Sequence, residues 1–180
     1  MNVGVNMNIN KLDKTIKKTW LEDIKDDYDH NLILNEDTMK NAIYFHLRKC
    51  FESTSEFNDL CIFTECTCYG FSSLSYRPDM IIVDTKSDEI VAVFEMKYKS
   101  KYCYKVEDLV YHDFKKLKSY MNTLDTVHPK CQYYVVAITL GDFDRANWLD
   151  ERSKWAKGKV AELIAYEPDG ILEFQVIPHN

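Results

Sequence analysis

Asp79, Glu95 and Lys97 are the side chains whose types and spacing most directly suggest chemistry. They lie in RPDMIIVDTKSDEIVAVFEMKYK, from Arg77 to Lys99, where two apolar runs flank the polar segment Thr85-Lys86-Ser87-Asp88-Glu89. Such a pattern predicts two strands, about Arg77–Asp84 and Ile90–Lys99, joined by a turn. A turn centred on Ser87 would pair Val83 with Val91, Ile81 with Val93, Asp79 with Glu95 and Arg77 with Lys97, all on one side of the hairpin. Directly opposed residues have Cβ atoms roughly 5 Å apart. Two ionised carboxylates at that distance repel by roughly 3 kcal/mol at an effective dielectric near 20. Two arrangements relieve the repulsion. One is a hard divalent cation, which takes carboxylate and backbone carbonyl oxygens. The other is a salt-bridged cluster in which Lys97 and Arg77 neutralise the acids.

The elements that must hold these residues can be read from the periodicity. Leu12, Ile16, Trp20 and Ile24 recur every four residues and predict a helix from Lys11 to about Asp27, with Asn10 as its cap. A second helix is predicted from Glu36 to about Glu52, capped by Asn35, with Met39, Ile43, Leu47 and Cys50 as its apolar stripe. Glu36 falls on that inward stripe. It therefore either needs a buried partner or serves the positive end of the helix. Leu60–Tyr69 is rich in strand formers, interrupted by Glu65, and Gly70–Ser73 reads as a loop. A third helix, about Val106 to Leu124, carries Val110, Phe114, Leu117, Met121 and Leu124 at helical spacing. Cys131–Leu140 is an apolar run suited to an interior strand, ended by Gly141-Asp142. Asp144–Trp155 can form a short helix. KVAELIAY and ILEFQVIP flank Glu167-Pro168-Asp169-Gly170 as a terminal hairpin, about 158–178. The expected fold is one α/β domain, with a mixed sheet flanked by helices.

Composition narrows the class. A chain of 180 residues suits a single domain with a substantial core. No stretch approaches the roughly 20 apolar residues that span a bilayer, and the Asn-rich start lacks an apolar signal core. A cytoplasmic protein without membrane contact is expected. The six cysteines, Cys50, Cys61, Cys66, Cys68, Cys103 and Cys131, are then expected as reduced, mostly buried thiols rather than zinc ligands. A net charge of −6 argues against a protein that coats nucleic acid, yet a basic rim can coexist with it. Lys97, Lys99, Lys101 and Lys105, then Lys115, Lys116 and Lys118, form the most basic stretch and adjoin the hairpin. Tyr98, Tyr102 and Tyr104 interleave with it, as strand packing or as stacking surfaces for bases. The five histidines show no ligand spacing, and His112, next to Asp113, reads either as a helix-surface residue or as one near substrate. No phosphate-binding glycine loop, zinc-protease HExxH or dinucleotide GxGxxG is present.

Pro78-Asp79, fifteen intervening residues and then Glu95-Met96-Lys97 resemble the signature of the PD-(D/E)XK nuclease superfamily, the restriction-endonuclease-like fold. The predicted order helix, three strands, helix, strand over about 35–140 matches that family's core. The N-terminal helix at about 10–30 and the terminal hairpin are then additions to it. The resemblance implies that Asp79 and Glu95, with the Met96 carbonyl, hold Mg²⁺ or Mn²⁺, and that Glu36 completes the metal shell. It implies that Lys97 orients the attacking water and stabilises charge on the phosphate. Asp113-Phe114-Lys115-Lys116-Leu117 is similar to a second-helix pattern of the family. It places Lys116 near the substrate phosphate, with Arg77 and Lys99 as further basic residues of the site. The implied function is metal-dependent hydrolysis of phosphodiesters in nucleic acid, with DNA the expected substrate, acting alone, as a homodimer or beside a partner subunit. The alternative is a catalytically silent module of the same fold within a larger nucleic-acid-processing complex.

Overall fold

The computed structural model describes residues 8–67, 77–99, 106–140, 154–167 and 170–179. Several predicted features lie outside them: the N-terminal arm up to residue 7, Cys68, the Gly70–Ser73 loop, Lys101, Tyr102, Cys103, Tyr104 and Lys105. So do Gly141-Asp142, nearly all of the predicted 144–155 helix, and the centre of the 168–169 turn.

Among the described residues, six strands form one mixed sheet in the order β1 to β6. They are β1 (Leu60–Thr64), β2 (Met80–Asp84), β3 (Glu89–Lys99), β4 (Gln132–Thr139), β5 (Val160–Tyr166) and β6 (Glu173–Pro178). β1, β2 and β3 pair antiparallel, β3, β4 and β5 pair parallel, and β6 returns antiparallel to β5. The parallel step from β3 to β4 requires a crossover, which α4 (Val106–Leu124) supplies. β3 and β4 are buried along most of their length, as expected for central strands covered on both faces.

One face is covered by α1 (Ile9–Thr19), the π-turn Trp20–Ile24 that continues into α2 (Lys25–Asp29), and α3 (Glu36–Ser53). Leu12, Ile16, Trp20, Ile24, Met39, Ile43 and Leu47 pack there on Met80, Ile82, Phe94, Met96, Tyr134, Val136 and Leu163. The Trp20 indole N–H donates to the Gln175 carbonyl, and its ring lies 4.9 Å from that of Phe174, which ties the first helix to β6. The opposite face is covered by α4, whose Phe114, Leu117, Tyr120, Met121 and Leu124 pack on Ile81, Val93, Tyr133 and Val135. Asn35 caps α3 as predicted: its side chain accepts the Thr38 N–H, and the Thr38 hydroxyl accepts the Asn35 N–H. The first helix is capped by Asn8 rather than Asn10, because the Asn8 side chain accepts the Lys11 N–H.

The hairpin register holds at Ile81 and shifts near the turn. Ile81 faces Val93, as predicted, and Met80 faces Phe94. Val83, however, pairs with Ile90 instead of Val91. A bulge between Ile82 and Val83 causes the shift, leaving Val91 as the extra residue on β3 and turning it toward α1 and α3. The turn is not centred on Ser87: Asp84 Oδ1 accepts the Lys86 and Ser87 N–H groups at its start, and Asp88 takes φ 56° near its end. The ladder also ends earlier than predicted. β2 begins at Met80, so neither Asp79–Glu95 nor Arg77–Lys97 is a backbone ladder pair. β1 likewise stops at Thr64 and not near Tyr69, because Glu65 takes φ 50° and breaks the strand.

Candidate active site

β3 is longer than β2, and this difference builds the site. Beyond Phe94, β3 runs on through Lys99 with β4 on one side and, among the described residues, no strand on the other. Strand residues present N–H and C=O to alternate sides. Lys99 bonds toward β4, where its carbonyl accepts the Leu140 N–H, so Met96 and Tyr98 face the vacated edge. Two carboxylates meet that edge. Asp79 Oδ2 accepts the Met96 N–H at 2.6 Å, and Glu36 Oε2 accepts the Tyr98 N–H at 3.4 Å. The Met96 carbonyl lies on that same edge. Asp79 is fixed from behind as well, since its carbonyl accepts the Glu65 N–H. Glu36 arrives from the first turn of α3, so the partner its inward position requires is the end of β3.

The other face of β3 carries the odd residues. Glu95 is fully buried, with 0% exposure, and both of its oxygens are engaged. Oε1 accepts the Tyr120 hydroxyl at 2.9 Å and Oε2 accepts the Lys116 ammonium at 2.9 Å, both from α4. Lys116 also reaches Asp113 Oδ1 at 2.8 Å, one helical turn back. Lys97 lies between Glu36 Oε2 at 3.2 Å and Asp113 Oδ2 at 3.7 Å. The latter separation is too long for a hydrogen bond. Asp113 Oδ2 is therefore a buried acceptor with no hydrogen-bond partner. Lys40 of α3 pairs with Glu65 at 2.6 Å and lies close enough to Asp79 to lower its pKa.

These environments set the charges. Burial pushes the Asp79 carboxyl up to about 6, opposed by the Met96 N–H, and Glu36 pushes it further up. Burial pushes Glu95 up to about 8, with Asp79 adding to the rise and Lys116 opposing it. Burial alone would lower the lysines. Asp113 and Glu36 outweigh it at Lys97, and Glu95 and Asp113 outweigh it at Lys116, so both pKa values are raised. Lys97 is thus an ammonium, a donor and a positive charge rather than a base. Tyr120 is raised by burial and by Glu95, so it stays a neutral donor.

The structure thus brings Asp79, Glu95, Lys97, Glu36 and Lys116 together. Lys99 is half-buried at the end of the same strand, whereas Arg77 is exposed ahead of β2. Lys116 differs from expectation in one respect: its ammonium rests on Glu95 and Asp113. Asp113 and Tyr120 were assigned no role from sequence. Their signal was present, because Asp113, Lys116 and Tyr120 recur at spacings of three and four, which sets them on one helix face beside Phe114 and Leu117. His112 is exposed on α4. Cys66 and Cys131 are buried, and Cys50 and Cys61 are partly exposed. Burial pushes the Cys131 thiol up to about 12, which makes it inert.

The donor set suits a hard cation: two carboxylates and a strand carbonyl, all oxygen. Among the described residues, no three His, Cys, Asp or Glu side chains form a ready-made cage. Mg²⁺ does not require one, since it is held through one or two carboxylates and completes its shell with water and substrate phosphate. Compared with family models, with curated proteins and with solved structures, the chain finds no match in any of the three. Among the described residues, no helix is long and apolar enough to cross a membrane.

Proposed function

We propose that this chain is a metal-dependent nuclease of the PD-(D/E)XK type, hydrolysing phosphodiester bonds in nucleic acid, with DNA the expected substrate. The observation that carries the reading is the convergence of Asp79, Glu95, Lys97 and Glu36 where β3 outruns β2. The helix, three antiparallel strands, crossover helix and parallel strand from Glu36 to Thr139 support a restriction-endonuclease-like core.

Asp79, Glu95 and the Met96 carbonyl would hold Mg²⁺ or Mn²⁺, with Glu36 extending the acidic edge. The bound ion supplies polarisation of a phosphoryl oxygen and a more acidic water. Lys97, held charged by Asp113 and Glu36, donates to the water and places positive charge where the phosphorane develops. Met96 N–H orients the Asp79 carboxylate, and Tyr120 orients that of Glu95, so both are fixed before substrate arrives. Lys99 and Arg77 add phosphate contacts that position the backbone without reading sequence.

A second reading is favoured by one specific observation. Lys116 already occupies Glu95 Oε2, as it would in a catalytically silent module of this fold that binds nucleic acid or a partner subunit. One assay separates the two. Purified protein is incubated with supercoiled plasmid, linear duplex, single-stranded DNA and RNA, with Mn²⁺, with Mg²⁺ or with EDTA. Cleavage that requires the metal supports the nuclease. Retained binding without cleavage of any substrate supports the silent module and overturns the nuclease.

A further inference from the structure

Lys116 holds the position on Glu95 that a cation would need. Its ammonium lies 2.9 Å from Glu95 Oε2 and 2.8 Å from Asp113 Oδ1, with only 21% of the side chain exposed. The opposite oxygen of Glu95 is taken by Tyr120, whose hydroxyl donates and carries no charge. Lys116 is thus the one ion-paired cation on Glu95 among the described residues. The neighbouring carboxylate is built to receive it: Asp113 Oδ2 is buried and has no hydrogen-bond donor, with Lys97 standing 3.7 Å away. An unsatisfied buried acceptor is costly, and a second donor brought to it recovers that cost. Asp113 can therefore bind Lys116 through one oxygen while Glu95 shares the ammonium, or through both when Glu95 is otherwise occupied.

We propose that Lys116 is an internal plug of the metal site: its ammonium and a divalent cation compete for Glu95, and Asp113 retains the lysine when the metal enters. The inference rests on the metal-site reading of Asp79 and Glu95. It separates two roles for one residue. Without metal, Lys116 donates to a buried acid and stabilises the fold. With metal, the same ammonium is released from Glu95, and positive charge on this helix becomes available to the phosphate that Lys116 was expected to contact. The cost of displacing it makes the metal-free site a poor scavenger of cations.

The sign of the test follows from charge. Removing the lysine strengthens the hold of Glu95 on a proton as well as on a metal. The divalent ion feels the lost positive charge twice as strongly as the competing proton, so the net effect favours the metal. Calorimetric titration with Mn²⁺ alone, without nucleic acid, reads this directly for wild type, Lys116→Met, Lys116→Gln and Asp79→Asn. Lys116→Gln keeps a donor for Glu95 and serves if the Met variant fails to fold. The plug predicts affinity about tenfold or more tighter in the Lys116 variants than in wild type. It predicts weakened binding in Asp79→Asn. Equal or weaker Mn²⁺ binding in both Lys116 variants overturns the plug while leaving the metal site standing. No Mn²⁺ binding in any protein, or binding unaffected by Asp79→Asn, overturns the plug together with the site on which it rests.

Discussion

The protonation of Glu95 gives the most quantitative prediction. Its carboxyl is raised from 4.5 to about 8 in the folded protein, first by burial and then by Asp79. In the unfolded chain it titrates near its ordinary value. Between those two pH values the folded state therefore holds a proton that the unfolded state has released. Stability falls with pH wherever the unfolded state binds fewer protons. The contribution is complete below the ordinary value and is lost as pH rises through about 8. One such proton corresponds to about 1.4 kcal/mol per pH unit, and half of it is already gone at the folded pKa, so raising pH from 6 to 8 removes about 2 kcal/mol. That is a large share of the roughly 5–15 kcal/mol by which domains are stable. Asp79, raised to about 6, steepens the fall below that point and adds little above it. Lys116 is raised from 10.5, so its own contribution is constant across this window. The assay is urea denaturation in EDTA at pH 6, 7 and 8 for wild type and Glu95→Gln. Histidines and other groups affect both proteins alike, so the difference in slope isolates Glu95. Saturating Mn²⁺ is expected to flatten the wild-type slope as well, because it holds both carboxylates ionised. Parallel slopes for wild type and Glu95→Gln in EDTA would refute the reasoning.

Other outcomes test the parts around Glu95. Tyr120→Phe removes the hydroxyl from Glu95 Oε1 and leaves a buried acceptor unpaired, so it should cost about 1–3 kcal/mol in denaturant, more at pH 8 than at pH 6. Asn35→Ala removes the α3 cap that aims Glu36 at β3, and about 1 kcal/mol of stability should go with it, read by thermal unfolding. Trp20→Ala empties a fully buried site between the first helix and β6, which should cost about 3–5 kcal/mol by the same measurement.

Much of this arrangement was legible in the sequence because it depends on local rules. Asn35 caps α3, the apolar spacing from Phe114 to Leu124 sets the inner face of α4, and the β-branched runs mark β2 and β3. The register of Ile81 on Val93 could be counted, and it held near the site because the bulge falls on the turn side of it. The bulge itself was not legible, because alternation alone cannot show an extra residue. Asp79 and Glu95 were foreseen as cross-strand neighbours. They meet instead through the end of a ladder, with Asp79 bonding the backbone of Met96. That geometry depends on β3 being longer than β2, which apolar runs delimit only to within a few residues. The contact of Lys116 with Glu95 was not foreseen for a different reason. Its helix face could be counted, but its pairing with Glu95 depends on how α4 settles on the sheet, which tertiary packing decides.

The central claim is that these residues cut a phosphodiester, and matched variants test it most directly. Wild type, Asp79→Ala and Lys97→Ala, shown by circular dichroism to be equally folded, are compared for initial rates on one DNA substrate in Mn²⁺. Metal-dependent cleavage is expected of wild type. Loss of Lys97 should slow it by about 100-fold or more, the scale of removing one donor to developing charge. Asp79→Ala should abolish it over background. Variants that cut as fast as wild type, or a clean wild-type protein that cuts nothing in Mn²⁺, would contradict it.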